Sequence, residues 1–203
     1  MRKVGLTGGV ACGKSTVGEM FVSLGAHLVK ADEIAHKLMQ PGEEVYENVV
    51  QAFGKDILNP DGTINRPRLA DAVFPTGRIS ELNAIVHPAV IEAQEAWMEK
   101  VLRKDPNAVV IVEAALLLEA GSWNRFDRLI TVTCPLEQKI ERFAARHNLS
   151  LEKARVEVER RQKAQASDDD KVKISHFVID NSGTLEQTRQ QVQKAWDSFV
   201  RLA

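Results

Sequence analysis

Residues 8–15 read Gly8-Gly9-Val10-Ala11-Cys12-Gly13-Lys14-Ser15, and this octet decides the fold: it is a complete Gly-x-x-x-x-Gly-Lys-Ser phosphate-binding loop. An apolar run, Val4-Gly5-Leu6, stands just before it and a helical stretch, Lys14–Leu24, just after it, the strand–loop–helix setting the motif requires. A chain of phosphates is crowded with negative charge. Successive backbone N–H groups cradle it only where the loop curls tightly and no side chain intrudes, and Gly8, Gly9 and Gly13 allow that path. The helix that follows aims its free N–H groups and the positive end of its dipole at the anion. Lys14 is expected to reach the outer phosphates and the Ser15 hydroxyl to hold Mg2+.

Working outward, four further apolar runs read as buried strands: His27–Val29, Val109–Val112, Leu129–Val132 and Phe177–Ile179. Helical patterns separate them, which predicts an α/β fold with a five-stranded parallel sheet between two helical layers. Ile140, Phe143, Ala144 and His147 share one helix face, and Leu185, Val192, Ala195, Trp196 and Phe199 form a second stripe on a C-terminal helix. Trp97 and Trp196 are expected in the core. The chain, 1–203, reads as a single domain with two excursions. Residues 33–107 form a mostly helical insertion, with helical patterns at Ile34–Met39, Val45–Phe53 and Val90–Val101 and a turn at Asn59-Pro60-Asp61-Gly62. Residues 136–173 form a charged helical segment suited to a lid.

Composition narrows the partners. The formal net charge is −1, which gives no basic field for nucleic acid. No apolar run reaches the length of a membrane span, and the first strand begins so early that no signal peptide is expected. The two cysteines, Cys12 and Cys134, form no metal pattern; a disulfide at Cys12 would distort the phosphate loop, and both suit a reducing cytoplasm. The sequence leaves the oligomeric state open.

Phosphate loops serve GTPases, motors and small-molecule kinases. An Asn-Lys-x-Asp guanine reader is missing from the sequence, and the length suits a small kinase. Such kinases carry an acidic residue after the second strand and an arginine-rich cover. Asp32, in Val29-Lys30-Ala31-Asp32, occupies the first place, where strand ends face the ligand crevice. It can take the proton of an attacking hydroxyl or cap the helix that follows. Arg142 and Arg146 lie four apart on one helix face, followed by Arg155, Arg160 and Arg161. They can close over developing phosphoryl charge or form a solvated face paired with Glu152, Glu157 and Glu159.

The chain resembles the dephospho-CoA kinase family nearly end to end. The resemblance rests on Gly5-Leu6-Thr7-Gly8-Gly9 with Gly13-Lys14-Ser15-Thr16, on Ala31-Asp32-Glu33-Ile34-Ala35-His36, and on Asp61-Gly62-Thr63-Ile64-Asn65-Arg66. It rests also on Leu82-Asn83-Ala84-Ile85-Val86-His87-Pro88, on Leu116-Leu117-Leu118-Glu119, on Arg142, Arg146, Arg161 and Gln165, and on Val178-Ile179-Asp180-Asn181-Ser182-Gly183. The resemblance implies a P-loop NTPase fold of three layers. The implied reaction moves the γ-phosphoryl of ATP to the ribose 3′-hydroxyl of dephospho-CoA, giving coenzyme A and ADP with Mg2+. Asp32, Lys14 and Arg142 would be catalytic. Gly8 through Thr16, with Arg146, Asn181 and Gly183, would bind ATP, and Ser15 and Glu113 would hold the metal. Asp32, His36, Arg66, His87, Leu116 and Arg161 would bind the acceptor. Read alone, His87 before Pro88 also suits a helix start, Arg66 a turn surface, and Asn181-Ser182-Gly183 a plain turn. The chain departs from the family at Lys30 and Glu113, each in place of Asp, and at Ala115 in place of Pro. Two other readings stay open: a kinase of the same architecture for a nucleoside monophosphate or a shikimate-like acceptor, and a nucleotide-dependent switch without catalysis.

Overall fold

The computed structural model describes residues 2–201; Met1, Leu202 and Ala203, the ends of the expected 1–203 domain, lie outside the described residues. In chain order the elements are β1 (Lys3–Gly8), α1 (Lys14–Ser23), β2 (His27–Lys30), α2 (Ala31–Leu38), α3 (Glu44–Phe53), α4 (Arg66–Val73), α5 (Ile79–Lys104), β3 (Val110–Glu113), β4 (Arg128–Thr133), α6 (Leu136–His147), α7 (Leu151–Lys163), α8 (Asp168–Ile174), β5 (Phe177–Asp180) and α9 (Leu185–Arg201). They fall into two compact units, one formed by the described residues up to Val29 and from Met98 onward, the other by Lys30–Trp97.

The first unit is built on a five-stranded sheet in the order β2-β3-β1-β4-β5. β1 runs parallel to β3 and to β4, and β4 parallel to β5, with Leu6 opposite Glu113 and Gly8 opposite Val132. The central strands are buried on both faces, with Val4, Leu6, Ile111, Ile130 and Val132 all fully buried. That is why they read as unbroken apolar runs rather than as alternating ones. Each Leu- or Ile-sized side chain so buried contributes about 1.5–3 kcal/mol. One face is covered by α1 and α9: Val17, Phe21, Val192, Ala195 and Phe199 join the strand residues in one cluster, with Trp196 packed at its margin. Phe199 holds this layer together, meeting the Phe21 ring at 6.1 Å and the Phe177 ring edge-on at 5.4 Å. The stripe read on α9 is therefore a core stripe except at its first member, since Leu185 is 56% exposed.

Past β4 the chain forms the α6–α7 pair. Ile140, Phe143 and Ala144 close against Ala154 and Val158, and Val10 and Ala11 of the phosphate loop pack on the same cluster. His147 stands outside it, exposed, with its ring tilted against that of Phe143, the centroids 4.2 Å apart. α6 stops at Asn148, which takes the left-handed conformation (φ 52) that Asn tolerates better than most residues. Ser150 restarts the chain as the cap of α7, accepting from the Lys153 N–H.

The second unit has its own core. Val45, Val49, Ile57, Leu69, Val73, Val86 and Val90 are buried together, flanked by Ile34, Leu38, Leu82 and Ile85. Arg78 binds Glu81 through both ends of its guanidinium, donates to the Ala52 carbonyl at 2.9 Å, and lies over the Phe53 ring. The predicted turn at 59–62 is present: Asn59 and Thr63 close it by a 2.8 Å backbone bond, and Leu58 bridges to Ile64. Two readings change. His87 does not start a helix, because α5 begins at Ile79 and runs on through Pro88. Proline inside a helix costs about 3 kcal/mol; here Leu82, Ile85, Val86, Ala89 and Val90 sit on the unit's core, and their burial outweighs it. Asp32 does not cap α2: the cap position is Lys30, and no side chain bonds there.

Candidate active site

The connection after β1 leads to the edge strand β2, whereas the connection after β3 crosses to β4 on the other side. In an open parallel sheet that reversal opens a crevice at the carboxyl ends of the strands. The phosphate loop leaves β1 there. Gly8 passes so near β4 that a Cβ would lie 2.3 Å from the Val132 carbonyl oxygen, and Gly13, at φ +90, would press one to 2.2 Å from Asn181 Nδ2. A side chain at either place would push the loop off the sheet. Ala11 holds a left-handed φ of 55, a costly conformation for a residue with a Cβ.

Lys14 turns back over the loop, its ammonium donating to the carbonyls of Gly8 and Gly9 at 3.0 Å each. Ser15 Oγ donates to Glu113 Oε1 at 2.8 Å. Glu113 ends β3 and is buried, and its Oε2 has no partner among the described residues. A buried carboxylate oxygen left over beside a hydroxyl is a hard oxygen pair of the kind Mg2+ takes, so these residues fit the ion, and the extra methylene of Glu113 does not remove it from Ser15.

Next to the loop lies a cavity of about 330 Å³ lined by Ala11, Gly13, Thr16, Arg142, Arg146, Asn181, Gly183 and Leu185. Arg142, on α6, donates to the Asn181 carbonyl at 2.8 Å, and its Nη1 is buried without a partner among the described residues. Asn181 is the clasp of the site. Its amide donates to the Cys12 carbonyl at 2.8 Å, its side-chain oxygen accepts from Thr188 on α9 at 2.9 Å, and its N–H reaches the Thr133 carbonyl. It is thus more than the turn residue its sequence allows. An Asn181→Ala variant should lose about 1–3 kcal/mol of stability, the penalty of a buried acceptor left unpaired, and should raise the KM for ATP. Chemical denaturation and steady-state kinetics check this; an unchanged midpoint would show that the loop closes without it.

The arginines divide between the two readings. Arg142 and Arg146 line the cavity. Arg155 is paired with Glu137. Arg160 and Arg161 both bind Glu157, with Arg160 chiefly pulling that carboxyl down to about 2. Arg161 also lies 5.1 Å over the Phe143 ring and does not line the cavity. Leu116 is half-buried in the turn after β3. In the second unit, Asp32 is exposed in the first turn of α2, His36 lies one turn on along the same helix, Arg66 opens α4, and His87 is half-buried within α5. Lys30 pairs with Glu33 at 3.7 Å. Sequence reading missed Thr188, and also Gln138, which donates to the Ser182 carbonyl; each acts through a backbone or side-chain bond that no spacing rule announces.

A phosphate loop on β1, an acid at the end of β3 and arginines on the wall of the cavity beside the loop define an ATP-dependent phosphate-loop kinase. Residues 2–187 match the family described as CoaE, dephospho-CoA kinase. A dephospho-CoA kinase from Aquifex aeolicus (strain VF5) is 42% identical over 99% of both chains. The crystal structure of TT1252 from Thermus thermophilus superposes with a TM-score of 0.78 at 31% identity, covering 97% of this chain and 96% of that one. A dephospho-CoA kinase from Campylobacter jejuni gives 0.68 at 28% identity, covering 98% and 97%. The chain belongs to the dephospho-CoA kinase family.

Proposed function

We propose that the protein transfers the γ-phosphoryl group of ATP to the ribose 3′-hydroxyl of dephospho-CoA, giving coenzyme A and ADP, in the cytoplasm. The observation that carries the nucleotide half of this reading is the cavity, where the phosphate loop, two arginines and the Asn181–Gly183 stretch line one space. Ala11, Gly13 and Thr16 mark its phosphate side, and Asn181 and Gly183 its base side. The acceptor half follows from membership of the family.

Lys14 exchanges the Gly8 and Gly9 carbonyls for phosphate oxygens, and Arg142, with a guanidinium nitrogen to spare, meets the charge that spreads over the transferring group. Ser15 and Glu113 would hold Mg2+, which would offset charge on the phosphate oxygens. Asp32 orients and deprotonates the acceptor hydroxyl. His36, Arg66, His87, Leu116 and Arg161 bind the remainder of dephospho-CoA, with residues 33–107 as the acceptor-binding insertion. Residues 136–173 act as a lid that excludes water; the pairing of Arg161 with Glu157 must then open when acceptor arrives. Among the described residues no helix is long and apolar enough to cross a membrane.

The test is ADP release from Mg-ATP with dephospho-CoA, AMP or shikimate. Turnover confined to dephospho-CoA, with coenzyme A formed, is expected. Turnover on AMP or shikimate would overturn the acceptor, and nucleotide binding without turnover on any acceptor would favour a switch.

A further inference from the structure

Beneath the phosphate loop lies a set of reactive groups that phosphoryl transfer does not use. Cys12 is fully buried, and Cys134, directly after β4, is 7% exposed. Both belong to one apolar cluster with Val4, Val132 and Ile179, and each thiol is the largest influence on the other's protonation. Lys139 of α6 is nearly as buried and is paired with Asp168, which opens α8. These groups converge on one spot of the loop: a Cβ on Gly9 would meet Lys139 Nζ and Asp168 Oδ1 at 3.0 Å and Cys12 Sγ at 3.2 Å.

The surroundings make the two sulfurs unequal. Cys134 donates its S–H to Cys12, and the ammonium groups of Lys139 and Lys14 add to that; burial and Asp168 oppose them, and the balance brings Cys12 down to about 7. The same hydrogen bond and burial push Cys134 upward. The surroundings thus favour the thiolate, the nucleophilic form, on Cys12 and the protonated thiol on Cys134. A thiolate with a second thiol at hand is the arrangement of a redox pair.

We infer that Cys12 and Cys134 are a site of reversible oxidation by a small peroxide, closing a disulfide that disables the phosphate loop. In the first step the Cys12 thiolate attacks one peroxide oxygen, the O–O bond breaks, and with one proton a water leaves, so that Cys12 becomes a sulfenic acid. The Cys134 sulfur then displaces that hydroxyl, the S–S bond forms, and a second water leaves with the Cys134 proton. Two thiols and one hydrogen peroxide give one disulfide and two waters, and a dithiol reductant reverses the change. The loop suffers because Cys12 is part of its frame. The Cys12 carbonyl is held by Asn181, and its N–H reaches back to the Gly9 carbonyl at 3.4 Å. Bringing its sulfur to a bond length of about 2.05 Å draws the residue toward the end of β4 and tilts the amides that face phosphate. Because both sulfurs are buried, the peroxide reaches them only when the loop opens, and ATP, by holding the loop, slows the reaction.

The test uses the whole protein with hydrogen peroxide, following intact mass, free thiols after denaturation, ATP binding and turnover. Expected are a mass lower by two hydrogens, a cross-linked Cys12–Cys134 peptide, a loss of ATP binding of at least about tenfold, protection by ATP, and recovery with dithiothreitol. Cys134→Ala should keep its turnover and form no disulfide. A protein that only gains oxygen, or one that forms the disulfide and still binds ATP normally, would overturn the inference. Both are read on the native chain, so the result stands even where the variant fails to fold. ATP binding makes the test independent of the acceptor.

Discussion

An Asp32→Asn variant should bind Mg-ATP with almost unchanged affinity and lose turnover on dephospho-CoA by about 10²–10⁴-fold, the usual contribution of a positioned base. The substitution keeps shape and removes the ability to take a proton. Its structural effect should be small, and the reasons are visible in α2. Asp32 is exposed, it stands inside the first turn rather than at the cap, and the helix starts from Lys30 with no side-chain bond to lose. What remains is the attraction between a carboxylate and the helix dipole, worth about 0.3–1 kcal/mol. Calorimetric titration with ATP and steady-state turnover separate the two quantities. Intact binding with collapsed turnover places the carboxylate in the chemical step. Near-normal turnover would reduce Asp32 to a dipole charge and send the search for the base elsewhere, with His36, one turn along α2, the first residue to substitute.

How much of this could be read from the chain depends on how local each cause is. The phosphate loop and the strands are local: Val110–Glu113 and Leu129–Val132 are buried on both faces, and their composition records that directly. The start of α5 is not local. Pro88 signals a boundary, and only the core formed by Val45, Leu69 and Val86 explains why the helix ignores it. The start of α4 is local: Asn65 caps it by accepting from the Arg68 N–H, with Pro67 in the first turn. The arginines show the sharper limit. Arg142 and Arg161 look alike in sequence, yet one lines the cavity beside the phosphate loop and donates to the Asn181 carbonyl, and the other lies on Glu157 and Phe143. The fold of the α6–α7 pair decides that. Likewise Cys12 and Cys134, far apart in the chain, share one core cluster because β4 pairs with β1 and ends beside the loop.

Lys14→Ala should damage both binding and rate, with kcat down by about 10²–10³-fold, the effect of removing one preorganised group at developing charge, and with a higher KM for ATP as well. The geometry explains why both change. In the structure the ammonium spans the Gly8 and Gly9 carbonyls at 3.0 Å each, so the charge is held at the mouth of the loop before any phosphate arrives. A cation kept there attracts the bound nucleotide and then the transferring group. The loop itself should persist in the variant, because its path is also held by the Asn181 bond to the Cys12 carbonyl and by Val10 and Ala11 against α6 and α7. Losing hydrogen bonds from a charged group costs about 1.5–3 kcal/mol, so a modest fall in thermal midpoint should accompany a far larger fall in activity. Lys14→Arg restores charge but not a compact point charge on a flexible stem, and should recover ATP binding more than turnover. If neither KM nor kcat moved in Lys14→Ala, the octet at 8–15 would not be the nucleotide site. The cavity beside it, with Arg142 and Arg146 on its wall, would then need another occupant.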